Sequence, residues 1–217
     1  MTSSYQSVVT ASLYRDGVLA IEQITDHFDQ AQWDQPACGT WSAAETARHL
    51  VGVVGWYHEW LDNALVGTAT QPFAESEFEV RNASIVAQLR EMSGPDAVAE
   101  FAVQATRYLD RASEELQRPY GFPAGTVTVG LHLGIAATEW HLHAWDLTTG
   151  QAKRHQPAQA TELFMAAGAA MSVAKGGIKG QLLKVAVPLA ARKSPWNTLL
   201  KEAGRPTTAE TTNDSHK

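Results

Sequence analysis

The chain has 217 residues, a formal charge of −6, 44% hydrophobic residues and a single cysteine. That length suits one domain, or one domain with an extension, and the apolar fraction is ample for a real core. The acidic balance argues against a nucleic-acid partner, lone Cys38 excludes an internal disulfide and fits a reducing, cytoplasmic setting, and no apolar run approaches the roughly 18 residues of a membrane span.

The start, Met1 to Gln6, lacks a basic region followed by an apolar run, so no signal peptide is expected. No internal repeat is visible and alternating strand patterns are scarce. The first segment, Val8 to Phe28, has Val9, Leu13, Val18, Ile21, Ile24 and Phe28 at helical spacing, interrupted by Gly17. Gln30 to Thr40 reads as a loop broken by Pro36 and Gly39.

A second helix opens at Ser42, with Glu45 completing a capping box. It carries His49, Val53, Trp56 and Trp60 on one face and ends before Gly67. Gly52 and Gly55 inside it weaken the helix but let a neighbour approach closely. Thr68 to Phe78 reads as loop and Arg81 to Met92 as helix. Gly94-Pro95-Asp96 starts the next helix, which runs to about Leu116 with Val98, Phe101, Ala105, Tyr108 and Leu109 on one face.

The stretch Arg118 to Gly125 is a break, and a last long helix runs from Val127 to Thr149, closed by Gly150. Ala158 to Val173 is again helical. Glycines 176, 177 and 180 loosen the chain, and Val185 to Pro188 reads as extended. A short helix follows, with Ser194 as cap, Pro195 first, Trp196, Leu199 and Leu200 inward, and Gly204 as stop. The expected organisation is all-α: a four-helix bundle over residues 1–155, an extension over 156–204 packed on it, and a polar, disordered tail over 205–217.

Glu139 and His143 stand one helical turn apart on a shared face. His49, from the earlier helix, can complete a set of two imidazoles and one carboxylate if the two helices are neighbours. Such a set suits a divalent metal and leaves positions open for chemistry. Zinc is the default ion, and nickel or iron(II) accepts the same donors. Core histidines that merely satisfy hydrogen bonds, and a surface Glu–His salt bridge, are the competing readings.

The surroundings of these residues resemble a known family. Pro36-Ala37-Cys38-Gly39-Thr40, Trp41, Ser42 and His49-Leu50-Val51-Gly52 look like the first ligand motif of the mycothiol-dependent maleylpyruvate isomerase family, within the wider DinB-like four-helix bundles. Glu139, His143-Ala144-Trp145-Asp146-Leu147 and Thr149-Gly150 resemble its second motif. Leu199-Leu200 with Gly204-Arg205-Pro206 is a weaker match. The resemblance implies that His49, Glu139 and His143 bind the metal and that mycothiol, a low-molecular-weight thiol, is the cosubstrate. Full-length isomerases of the family carry a second folded domain, where this chain has about fifty residues. That favours thiol transfer to a small-molecule electrophile over maleylpyruvate isomerisation. A non-enzymatic metal- or ligand-binding bundle is the third reading.

Trp56, Arg81 and His132 are the candidates for contacting thiol or substrate, against core packing for Trp56 and His132 and a solvated side chain for Arg81. His132 lies about 10 Å along the axis from Glu139, too far to join the same metal. His141 faces away from the pair and reads as surface or packing. Asp146 is either an acceptor for a ligand imidazole or a helix-end salt bridge. Cys38 reads as a structural thiol. The basic run Lys175, Lys179, Lys184, Arg192 and Lys193 is a solvated face or an attractor of an anionic ligand. Bundles of this kind can dimerise, but no exposed stripe argues for a homodimer.

Overall fold

A computed structural model describes residues 2–190 and 194–207. Four long helices form the bundle: α1 (Thr2–Thr25), α3 (Ala43–Leu65), α5 (Gly94–Ser113) and α6 (Val129–Leu147). Helix α6 packs against α1, α3 and α5, and α1 and α3 both pack against α5. The short α2 (Gln30–Trp33) and α4 (Phe78–Gln88) lie in the connections, and α7 (Ala160–Lys175), α8 (Gly177–Ala190) and α9 (Pro195–Glu202) follow the bundle. Among the described residues, no helix is long and apolar enough to cross a membrane.

The capping box at the start of α3 is made on both sides. Glu45 N–H donates to Ser42 Oγ at 3.2 Å, and Ser42 N–H donates to Glu45 Oε2 at 2.8 Å. Two of the helix's orphan N–H groups are thereby satisfied, which fixes where α3 begins and so the phase of His49 along it.

Helix α6 is buried almost all round, with α7 covering the side that the bundle leaves open. Trp140, fully buried, is its anchor: its ring meets Phe101 at 4.8 Å, Tyr57 at 5.7 Å and Tyr14 at 5.8 Å. This aromatic centre sets the rotation of α6. Gly17 allows the close approach of α1, because a Cβ there would lie 2.7 Å from Trp140 Cβ. Gly52 does the same for α4, whose Ile85 would meet an added Cβ at 1.8 Å, whereas Gly55 faces open space.

Several expectations are corrected. Residues 30–40 are not a plain loop. They hold α2 and β1 (Pro36–Cys38), which pairs antiparallel with β2 (Trp41–Ser42). The break at 118–125 is a second hairpin, β3 (Pro119–Phe122) with β4 (Gly125–Thr128). These strands have at most four residues, too few for alternation to register. A 3₁₀ turn at Glu75–Glu77 leads into α4, which starts before Arg81, and α5 ends at Ser113. Residues 185–188, expected to be extended, lie within α8. Helix α9 begins where expected, but Ser194 makes no side-chain cap bond.

The tail boundary also shifts: Arg205 is tied to the bundle by hydrogen bonds to Asp146, and residues 208–217 lie outside the described residues. In the basic run, Lys175 pairs with Glu75 at 2.7 Å and Lys179 is exposed. The Lys184 side chain and residues Arg192 and Lys193 are outside what is described.

Candidate metal centre

Helices α3 and α6 bring His49, Glu139 and His143 together, with one donor atom of each within 4.8 Å of the others. Both imidazoles are buried, at 3% and 5% exposure, and Glu139 is partly open. The His49 and His143 rings meet edge to face at 4.9 Å, and the Trp41 ring from β2 lies 5.0 Å from His49.

Each residue keeps at least one donor atom free of hydrogen bonds. Tyr57 O–H donates to Glu139 Oε2, which leaves Oε1 facing the cluster. His143 Nδ1 lies 3.0 Å from Asp146 Oδ2, at an angle outside that of a hydrogen bond, so this is an ion-pair contact. It leaves the other ring nitrogen of His143 for a ligand. His49 Nε2 faces Glu139 Oε1 at 3.6 Å, beyond hydrogen-bond length. Two donors sharing a tetrahedral zinc at about 2.0–2.1 Å would be about 3.3 Å apart. The gap is therefore close to what one shared cation requires. His49 Nδ1 is buried without a hydrogen-bond partner, so the ring is oriented by its aromatic neighbours.

A second group, Cys38, His143 and Asp146, also meets the distance condition for a metal. Charge decides against it. Arg205 donates to both Asp146 oxygens, Nε to Oδ1 at 2.8 Å and Nη2 to Oδ2 at 2.7 Å, and the same Nη2 lies 3.7 Å from Cys38 Sγ. A guanidinium already occupies the place a cation would take. Asp146 thus acts as both the imidazole's partner and a salt bridge, the two readings the sequence left open.

The titration behaviour fits this division. Burial pushes the Glu139 carboxyl up, but the adjoining His49 and His143 imidazoles and the Tyr57 O–H outweigh it and hold it at about 2. Burial lowers His49. Burial also pulls on His143, yet Asp146 and Cys38 overcome it and lift the imidazole to about 9. Without a metal, His143 therefore carries a proton that an incoming cation must displace. Once that proton leaves, the three donors carry one negative charge, a chemistry suited to a divalent ion with open positions.

The residues expected to touch thiol or substrate lie outside this cluster. Trp56 is half-buried, stacked on Trp60 at 6.0 Å and against Phe73 at 5.3 Å. Arg81 is exposed, pairs with Glu77 at 3.1 Å and covers the Phe73 ring at 4.5 Å. His132 is 1% exposed. It shares a 3.0 Å hydrogen bond with Tyr108 O–H and is boxed by the rings of Tyr57, Tyr120 and Phe122, the surroundings of a packing residue. His141, expected at the surface or in packing, is a buried packing residue, bonded to Leu13 C=O at 3.1 Å and to His155 at 3.0 Å.

Sequence reasoning missed two members of the site. Tyr57 stands in α3 two turns beyond His49, at a spacing that could have drawn attention. Arg205 had only its place in the Gly-Arg-Pro motif. Cys38, read as a structural thiol, stands half-buried at the edge of the centre.

No curated protein and no solved structure matches the chain. The sequence profile described as mycothiol maleylpyruvate isomerase N-terminal domain matches residues 15–148, the stretch that holds all three candidate ligands. The chain therefore belongs to the family of mycothiol maleylpyruvate isomerase N-terminal domains.

Proposed function

We propose that the chain is a metal-dependent transferase that joins mycothiol to a small electrophile. The observation that carries this reading is the convergence of three otherwise unengaged donors, His49 Nε2, Glu139 Oε1 and a His143 ring nitrogen, in a member of a mycothiol-linked family. Zinc is the expected ion, with nickel or iron(II) as acceptable substitutes. When bound, it would supply the Lewis acidity that keeps a thiol deprotonated at neutral pH.

The chain's own groups hold and shape the site. Tyr57 fixes the Glu139 carboxylate by its O–H, and Asp146 holds His143. Burial of both imidazoles keeps bulk water from their donor atoms. In the reaction, the thiol's proton passes to solvent, its sulfur forms a C–S bond to the electrophilic carbon, and the leaving group departs with the electron pair of the bond that breaks. Helix α7 packs against α6 and α9 against α7, and the turn after α9 brings Arg205 to the centre's edge.

The test is turnover by zinc-loaded protein with mycothiol and chlorodinitrobenzene or a bimane. The expected result is a thioether conjugate that requires the metal and disappears in Glu139→Ala. Recovered thiol with an isomerised maleylpyruvate-type substrate would replace transfer by isomerisation. Tight metal binding with no chemistry on either substrate would favour a binding bundle.

A further inference from the structure

Helix α9 docks by Trp196, Leu199 and Leu200, all buried, with the Trp196 ring 6.1 Å from Trp145 of α6. Beyond its end the chain reverses. Gly204 adopts φ +71°, and two bonds close the turn: Gly204 N–H to Lys201 C=O at 3.0 Å and Arg205 N–H to Leu200 C=O at 2.8 Å. This pair of bonds is the Schellman arrangement, and it needs a left-handed residue that glycine adopts without strain. The turn sends Arg205 back towards the end of α6.

All three guanidinium nitrogens are engaged there. Besides the bonds from Nε and Nη2 that clasp Asp146, Nη1 donates to Ala203 C=O at 3.1 Å and Nη2 approaches Cys38 Sγ of β1. Asp146 is 4% exposed, and its Oδ2 also faces His143 Nδ1. The planar fork of arginine matches a carboxylate in both bonds and so fixes its rotation. A carboxylate free to turn would lose its aim at the imidazole. One directed by Arg205 keeps its charge beside His143 Nδ1, at 3.0 Å, while a donor atom of the ring stays within reach of His49 and Glu139.

We propose that Arg205 is a positioning residue for the metal centre, acting through Asp146 on His143, so that the segment after the bundle completes the site. This inference rests on the metal reading of the three donors. It makes metal affinity depend on a residue 59 positions beyond Asp146, outside the matched family segment.

The experiment measures zinc affinity by chelator competition, and the cobalt(II) visible spectrum, in the full chain. It compares wild type, Arg205→Ala, Arg205→Lys, Asp146→Asn and the Asp146→Asn/Arg205→Ala double variant. Loss of a ligand-orienting partner typically weakens metal binding about 10- to 100-fold. Arg205→Ala is expected in that range with an altered cobalt band, and Arg205→Lys between it and wild type. On the Asp146→Asn background, removing Arg205 should add about twofold or less, since the path through Asp146 is already cut.

If Arg205→Ala does not fold, Arg205→Lys, which keeps the charge but not the fork, carries the comparison. Unchanged affinity and spectrum in the folded Arg205 variants would overturn the inference alone. So would an Arg205→Ala loss equally large with and without the Asp146 carboxylate. Absence of a tight site in the wild type would overturn the metal reading, and the inference with it.

Discussion

Metal binding near neutral pH should release close to one proton per ion, and that proton should come from His143. Glu139, held at about 2, is already ionised, and His49, lowered by burial, is already neutral. His143, lifted to about 9 by Asp146 and Cys38 against the pull of burial, is the donor that must lose a proton. At pH 7.5 a group at that value is mostly protonated, so release approaches one and apparent affinity falls by up to about tenfold per pH unit below it. Asp146→Asn removes the main group that lifts His143. Burial then governs the ring, the proton is absent at pH 7.5, and release falls towards zero. Calorimetric zinc titrations in two buffers of different ionisation enthalpy give the proton count directly. A wild-type release near zero, or an undiminished release in Asp146→Asn, would refute the reasoning.

Three further outcomes follow from the packing. Tyr57→Phe deletes the O–H that holds Glu139 and should weaken zinc binding by about tenfold with little change in Tm; an unchanged affinity would detach Tyr57 from the site. Trp140→Ala empties the fully buried centre of the bundle and should cost about 3–5 kcal/mol in denaturant unfolding, whereas a loss under about 1 kcal/mol would contradict the assigned core. His132 is depressed by burial to about 3, below its unfolded value. Its contribution to stability is therefore present above about pH 6.5 and lost as pH falls towards 3, by up to a few kcal/mol. His132→Phe should flatten the decline in stability between pH 6 and 4, and an identical decline in both proteins would contradict this burial.

What could be read from the sequence was local. The Ser42–Glu45 capping box and the one-turn spacing of Glu139 and His143 depend only on neighbours along one helix, and the structure contains both arrangements. The meeting of His49 with that pair required adjacent helices, and the family motifs suggested it. Other features depend on distant packing. His141 read as surface or packing because its direction on α6 is opposite the ligands, and α1, which covers that side and accepts from the imidazole through Leu13 C=O, decides for packing. The two hairpins are too short to show a period. Arg205 lies in a polar stretch, and its role depends on the turn at Gly204 and on a carboxylate 59 residues earlier. No periodicity or propensity records such a contact.

The account turns on whether His49, Glu139 and His143 hold a metal ion. Its most direct test is a calorimetric zinc titration of chelator-stripped protein, wild type beside His143→Ala. The account predicts one tight site in the wild type and its loss in the variant, with helical content unchanged in both. No tight site in the wild type, or an equally tight site in the variant, would contradict it.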